Sequence, residues 1–309
     1  MWLIFTLLTT LLWGAADLFY KIGARHGEEK YSHLLTGITV GLVMGAQAIF
    51  TLLFTDVGYN PINILIYLPV SLFYIISMVV GYLGLKYLEV SISSPVQNSS
   101  GAVVCILCLI FLGERLDLLS GAAVVIITAG IVLLGWFERV KPSEVAPEDK
   151  KYSKSAFALI FPLIYCVLDA MGTFFDAFYL DDIETTPLVG VTEENFENVA
   201  NISYELTFLF AAVVLLIYIL VIKKEKIEVP KQGSKLIAAV FETAGQYFYV
   251  YAMSGNAVVA APTIAAYCVV SALLGGIFLK EKLKPLQYAA ISAVIVGIIL
   301  LGVVEGLSE

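Results

Sequence analysis

Charge is scarce in this chain: of 309 residues only 14% are Asp, Glu, Lys or Arg, against about 25% in soluble domains. A soluble globular fold is excluded. Histidine is nearly absent, with His26 and His33 alone, and the four cysteines (Cys105, Cys108, Cys166, Cys268) all lie in apolar stretches, where a free thiol behaves as a small hydrophobe. No disulfide framework follows, and the C-x-x-C of Cys105 and Cys108 lacks the further ligands that zinc needs, so no metal and no cofactor are expected. Basic residues are outnumbered, giving a formal charge of -8, which is the wrong sign for a nucleic-acid surface. There is no phosphate-binding P-loop, hence no ATP-driven pumping by this chain alone. Neither H-E-x-x-H nor G-x-S-x-G occurs, and no internal histidine could activate a Ser or Cys, so an intramembrane enzyme is not expected. The first apolar stretch, MWLIFTLLTTLLWG, has no basic residue ahead of it and reads as a membrane span rather than a signal peptide.

What the chain has in abundance is apolar residues, at 60%, with a mean hydropathy of +0.90. A spanning helix takes about 20 mostly apolar residues. The apolar runs predict ten spans: Leu3–Ile22, Leu34–Phe54, Ile62–Gly84, Pro95–Leu112, Leu118–Phe137, Ala156–Leu180, Val199–Ile222, Leu236–Ser254, Ala257–Leu279 and Leu286–Val304. Helices are the reading because lipid offers the backbone no partners. Seventeen of the eighteen Lys and Arg residues fall after spans 1, 3, 5, 7 and 9, and Arg115 is the exception. Positive loops stay in the cytoplasm, so a multi-pass protein of the plasma membrane with both termini outside is expected. The segment 181–198 carries six carboxylates and no basic residue. It is either a solvated outer loop or a vestibule that attracts cations.

The sequence also repeats. Adding 167 to Tyr82, Pro95, Glu114, Gly130 and Gly135 reaches Tyr249, Pro262, Glu281, Gly297 and Gly302, with FLGERL and FLKEKL as the most visible pieces. Earlier in each half the offset is 152, which brings Trp13 and Asp17 onto Tyr165 and Asp169. The difference is close to the length of the acidic loop. Five spans per repeat is odd, so the halves would cross the membrane in opposite senses, an architecture of transporters with the site at the repeat interface. The predicted fold class is therefore an all-α polytopic membrane protein of ten transmembrane helices in two inverted five-helix repeats: residues 1–137, a cytoplasmic linker 138–155, and residues 156–309.

With WGAADLFYK in the first span and YLGLKYLEVSISSPVQNSSGAVVCILCLIFLGERL ahead of a glycine-bearing helix, the chain resembles the EamA branch of the drug/metabolite transporter superfamily over nearly its whole length. The resemblance implies alternating access by rocking of two bundles about a central cavity, with proton or exchange coupling. It implies no particular substrate, and the acidic loop departs from the common pattern.

Ionisable residues inside spans narrow the solute. Each costs roughly 2.5–3.5 kcal/mol at a span centre on insertion scales and marks function by default. Asp17, Asp169 and Glu242 lie within spans, with Asp176 and Glu205 nearer the outer ends. Trp13 and Asp17, Tyr165 and Asp169, and Glu242 and Gln246 are each i, i+4 pairs on one helical face. No Lys or Arg lies deep; Lys21 sits at a cytoplasmic end and can snorkel. Carboxylates beside aromatic rings suit an organic cation, with cation-π attraction of about 0.5–2 kcal/mol per ring. The expected function is secondary active transport of a small cationic or zwitterionic solute, with a neutral amino acid or metabolite, or a non-transporting receptor or scaffold, as alternatives. The candidate site is Trp13, Asp17, Tyr165, Asp169, Glu242, Gln246 and Tyr267, together with Gln97 and Asn98, which could instead satisfy backbone freed by Pro95. Asp169, near mid-span, is the preferred proton-coupling residue, followed by Asp17. The G-x-x-x-G-x-x-x-G ridge of Gly37, Gly41 and Gly45 is either an internal seam or the face of a homodimer, with the seam preferred.

Overall fold

The computed structural model describes residues 1–25, 31–84, 99–137 and 160–308. The described residues are predominantly helical and contain no strand. In chain order they form α1 (Trp2–Arg25), α2 (Ser32–Phe54), α3 (Ile62–Gly84), α4 (Ser100–Leu107), α5 (Leu118–Phe137), α6 (Ile160–Leu180), α7 (Phe196–Ile217), α8 (Gly233–Ile264), α9 (Tyr267–Phe278) and α10 (Pro285–Ser308). Helices α4 and α7 each end in a wider π-helical turn, at Cys108–Leu112 and Tyr218–Ile222. Large apolar side chains such as Leu53, 72% exposed, and Phe210, 67% exposed, point outward, as a surface that meets acyl chains requires.

Seven helices are long and apolar enough to cross a membrane, or eight if the run Val229–Ile264 and Tyr267–Phe278, bent by 45°, counts as one span. Ten spans were predicted, and the difference has two sources. The predicted spans Leu236–Ser254 and Ala257–Leu279 meet with no loop between them, and Asn256 (φ −168°, ψ 75°) alone breaks the helical backbone there. The second of them is broken again after Pro262, between Ile264 and Tyr267. The predicted span Pro95–Leu112 begins outside the described residues, leaving Ser100–Leu112, which is too short by itself.

Packing is paired. α1 lies along α8 and α9, α3 along α6, α2 along α7, and α5 along α10. Glycines set the closest approaches. A Cβ on Gly41 would overlap the Phe208 carbonyl oxygen and come within 2.7 Å of Ala212 Cβ, and one on Gly45 would lie 2.7 Å from Leu209 Cβ. The Gly37, Gly41, Gly45 ridge is therefore filled from within the chain by α7. Gly130 on α5 meets Val294 and the Ala290 carbonyl of α10, while Gly297 on α10 meets Ile127 and the Ala123 carbonyl of α5.

The two turns that lead into α5 and α10 are built alike. Gly113 and Lys280, 167 residues apart, both take left-handed backbone, at φ 70° and 56°. Asp117 Oδ1 accepts from the backbone N–H groups of Leu119 and Ser120 at 2.9 and 3.0 Å, capping α5, whereas α10 starts with Pro285 and the Lys284 N–H donates to Gln287 Oε1 at 2.8 Å. Hydrogen bonds from the Ser120 side chain and from backbone N–H groups hold Asp117 below the usual carboxylate range. That stabilisation is present above its unfolded value and is lost as pH falls through the depressed folded one. Left-handed backbone costs a residue with a Cβ about 1–2 kcal/mol, partly offset by the chain entropy that a glycine loses on folding. Lys280→Gly is therefore expected to raise stability by about 0.5–1 kcal/mol and Gly113→Lys to lower it. Thermal unfolding of the detergent-solubilised variants checks both.

The acidic segment is tied down rather than loose. Asn63 exchanges two hydrogen bonds with Val189, its Nδ2 donating to the carbonyl at 2.9 Å and its Oδ1 accepting from the N–H at 2.8 Å. Asn195 Nδ2 donates to the Val57 carbonyl at 2.8 Å. These contacts fasten the loop over the start of α3.

Candidate functional site

A cavity of about 190 Å³ opens where α1, α3, α4, α6 and α8 converge. Its wall includes six of the nine residues singled out from the sequence: Trp13, Asp17, Tyr165, Asp169, Glu242 and Tyr267. The i, i+4 spacing explains the convergence, since it puts ring and carboxylate on one helical face and the helix pairing turns those faces toward each other. Trp13 is the most constrained of them. Its ring stacks on Tyr249 with centroids 5.2 Å apart, meets Tyr267 edge-on at 6.3 Å, and donates from Nε1 to the Glu242 carbonyl at 3.2 Å. Gly245 makes this fit, because a Cβ there would overlap the indole.

The three carboxylates differ in their surroundings. Asp17 Oδ2 accepts from Ser271 and lies 3.3 Å from Lys21 Nζ, which also donates to Ser271 at 2.9 Å. Lys21 was expected to reach for the cytoplasmic surface. It instead folds back one helical turn onto Asp17, so this carboxylate already has a counter-ion. Asp169 has the Ser100 hydroxyl beside it, and no cationic side chain pairs with it or with Glu242 among the described residues.

Gln246 does not reach the cavity. It is 2% exposed and shares its face of α8 with Ala239, Thr243 and Val250, all packed between helices, while Glu242 and Tyr249 share the cavity face. Gln97 and Asn98 lie outside the described residues. Among those described, no group of three His, Cys, Asp or Glu side chains is placed to hold a metal ion.

Sequence reasoning missed several wall residues, above all Tyr74, Thr173, Tyr204 and Tyr249. Tyr74 is the hub, with its hydroxyl 2.8 Å from both Thr173 Oγ1 and the Tyr249 hydroxyl. One turn beyond Thr173 on α6, toward the acidic loop, Asp176 is fully buried and accepts a hydrogen bond from the equally buried Tyr67. The rings of Tyr67 and Tyr74 both pack edge-on against Tyr204. A layer of tyrosines and one carboxyl thus separates the cavity from the end of the molecule that the acidic loop covers.

A family model described as the EamA-like transporter family matches residues 1–136 and 204–303. Comparison with curated proteins finds no match. A crystal structure of another protein superposes with a TM-score of 0.71 at 16% sequence identity, covering 100% of this chain and 98% of that chain. At that identity the likeness is one of fold alone.

Proposed function

Because the chain belongs to the EamA-like transporter family, we propose that its central cavity is the binding site of a secondary transporter for a small cationic or zwitterionic organic solute. The observation that carries this reading is the pairing of Asp169 and Glu242 with aromatic rings in one cavity where, among the described residues, Lys21 is paired with Asp17 and no cation lines the wall. A solute ammonium would face two carboxylates in a site of low dielectric, with Trp13, Tyr249 and Tyr267 offering cation-π contacts. An anionic solute would find no cationic side chain on the wall among the described residues.

In the same reading the chain crosses the plasma membrane ten times as two inverted five-span repeats, residues 1–137 and 156–309, with both termini outside. Several features support the repeat. Contacts swap across the offset of 167, Gly130 against Val294 and Gly297 against Ile127, and the left-handed turns at Gly113 and Lys280 share it. The pairing of α3 with α6 is the counterpart of α8 with α1. Alternating access then follows from rocking the halves about the cavity. Asp169, at the cavity wall without a counter-ion, is the carboxyl best placed to exchange a proton for the solute; Asp17, held by Lys21, is less so.

The test is the thermal stability of the purified protein with choline, glycine betaine, neutral amino acids and dicarboxylates, beside the Asp169→Asn variant. A ligand of the native state raises apparent stability by mass action. Choline or betaine is expected to raise the unfolding temperature of the parent and not of the variant. Stabilisation by neutral or anionic compounds alone, unchanged by Asp169→Asn, would overturn the cationic assignment in favour of a neutral solute.

A further inference from the structure

Asp176 is not part of the cavity wall, yet it is the most enclosed carboxyl near it. It is 0% exposed; among the described residues Tyr67 of α3, itself 0% exposed, donates to its Oδ1, and the Tyr249 hydroxyl of α8 lies close beside it. Its Oδ2 has no hydrogen-bond partner. The titratable groups that face it are tyrosines on three neighbouring helices, Tyr67 and Tyr74 of α3, Tyr204 of α7 and Tyr249 of α8, with Asp169 further along its own helix. None is a cation. A carboxylate anchored for structure is normally paired with a cation or fully hydrogen-bonded when buried, whereas Asp176 has only tyrosine hydroxyls beside it among the described residues and an unfilled Oδ2.

The hydroxyls around it form a path to the cavity. Tyr249 lines the cavity and faces Asp176. Its hydroxyl is 2.8 Å from that of Tyr74, which is 2.8 Å from Thr173 Oγ1, and in both contacts either oxygen could donate. The remaining link, between Asp176 Oδ2 and the neighbouring Tyr249 hydroxyl, is open in this structure; once it closes with a proton on Oδ2, donation runs from Asp176 to Tyr249, to Tyr74, to Thr173. Without it, every bond in the row reverses and Tyr249 donates to the carboxylate. One proton therefore moves between Asp176 and the cavity by reversal of three hydroxyls, while Tyr67 keeps donating to Oδ1 throughout.

We propose that Asp176 is a proton-binding site separate from the solute cavity, connected to it through Tyr249, Tyr74 and Thr173 and tied to α3 through Tyr67. The proposal rests on the transporter reading for its use: α3 and α6 belong to opposite halves, so a proton held here fastens the halves together on the acidic-loop side. Release of that proton into the cavity leaves a buried charge that the layer accommodates only by opening to water. Solute binding at Asp169 and gate opening at Asp176 would then draw on one proton path.

The test needs no solute. Infrared difference spectra of the full-length protein in lipid, taken between acidic and alkaline buffer, report protonated carboxyls by their C=O stretch. Glu205, buried on α7, supplies a background common to all variants. A titrating band that disappears in Asp176→Asn and changes frequency in Tyr67→Phe is expected. Retention of every titrating band in Asp176→Asn would overturn the proposal, and if that variant fails to fold, an unchanged spectrum in Tyr67→Phe would do so. In proteoliposomes, Asp176→Asn is expected to lose choline accumulation driven by a pH gradient while keeping choline–choline exchange; loss of both together would reduce Asp176 to a structural role. If the parent protein carries no choline but shows the band, the solute assignment fails and the proton site stands.

Discussion

Asp169→Asn combined with Glu242→Gln is expected to abolish choline binding and uptake, with affinity falling at least about a hundredfold. A charge-assisted contact is worth about 1.5–3 kcal/mol, and each 1.4 kcal/mol is a factor of ten in affinity. Both carboxylates face the same cavity and neither has a counter-ion among the described residues, so a bound ammonium would be held by both. Both replacements keep the side-chain shape, and the folded protein should persist, since removing an unpaired buried charge relieves a desolvation cost. Equilibrium binding of radiolabelled choline to the purified variants reads the effect directly. Asp17→Asn is the informative contrast: it removes a carboxylate from the cavity wall and breaks its pair with Lys21, making the site one charge more positive, so it too should weaken choline. Unchanged choline affinity in the double variant would remove Asp169 and Glu242 from the solute site.

Gly41→Leu is expected to be the most damaging single substitution in the membrane domain. A Cβ alone at this position already collides with the backbone of α7 at Phe208, and backbone cannot rotate away as a side chain can. Overpacking of a core costs typically 1–3 kcal/mol, and four added carbons at a backbone contact should exceed about 3 kcal/mol, a value reserved for severe packing defects. Loss of folded protein on size-exclusion chromatography checks it. Gly37→Ala is the control, because its added carbon would meet only Leu215 Cδ1 at 3.6 Å, an ordinary contact. Equal damage at both positions would show that the α2–α7 seam is not what makes Gly41 necessary.

How far the sequence could be read depended on the range of the signal. Helix positions and the cavity-facing pairs Trp13/Asp17 and Tyr165/Asp169 were legible because apolar runs and four-residue spacing are local properties. The reciprocal packing of Gly130 and Gly297 is anticipated by the repeat offset. The Asp17–Lys21 pair carried the same four-residue spacing, but Lys21 was assigned to the cytoplasmic surface, and only the position of Ser271 on α9 shows why it turns back. Tyr74, Tyr204 and Tyr249 could not be chosen from 17 tyrosines, because what distinguishes them is which helices meet. Tyr67 and Asp176 are 109 residues apart, and neither has a neighbour in sequence that announces the other. The division between the predicted spans Leu236–Ser254 and Ala257–Leu279 falls at Asn256, where the backbone leaves helical geometry without a loop.

The reciprocal seam of α5 and α10 bears on how the two halves can move. Each helix offers the other the same small set, a glycine against a β-branched side chain and a carbonyl one turn away, so the contact looks alike from either side, as the proposed interchange of two halves requires. Points near the axis about which one body tilts against another travel least. In the proposed rocking, the α5–α10 pair, held close by glycine, would serve as a fulcrum for the cavity-lining pairs, α1 with α8 and α3 with α6. An angular change at that seam would then alter the spacing of Trp13, Asp169 and Tyr67, the places where a solute and a proton would have to pass.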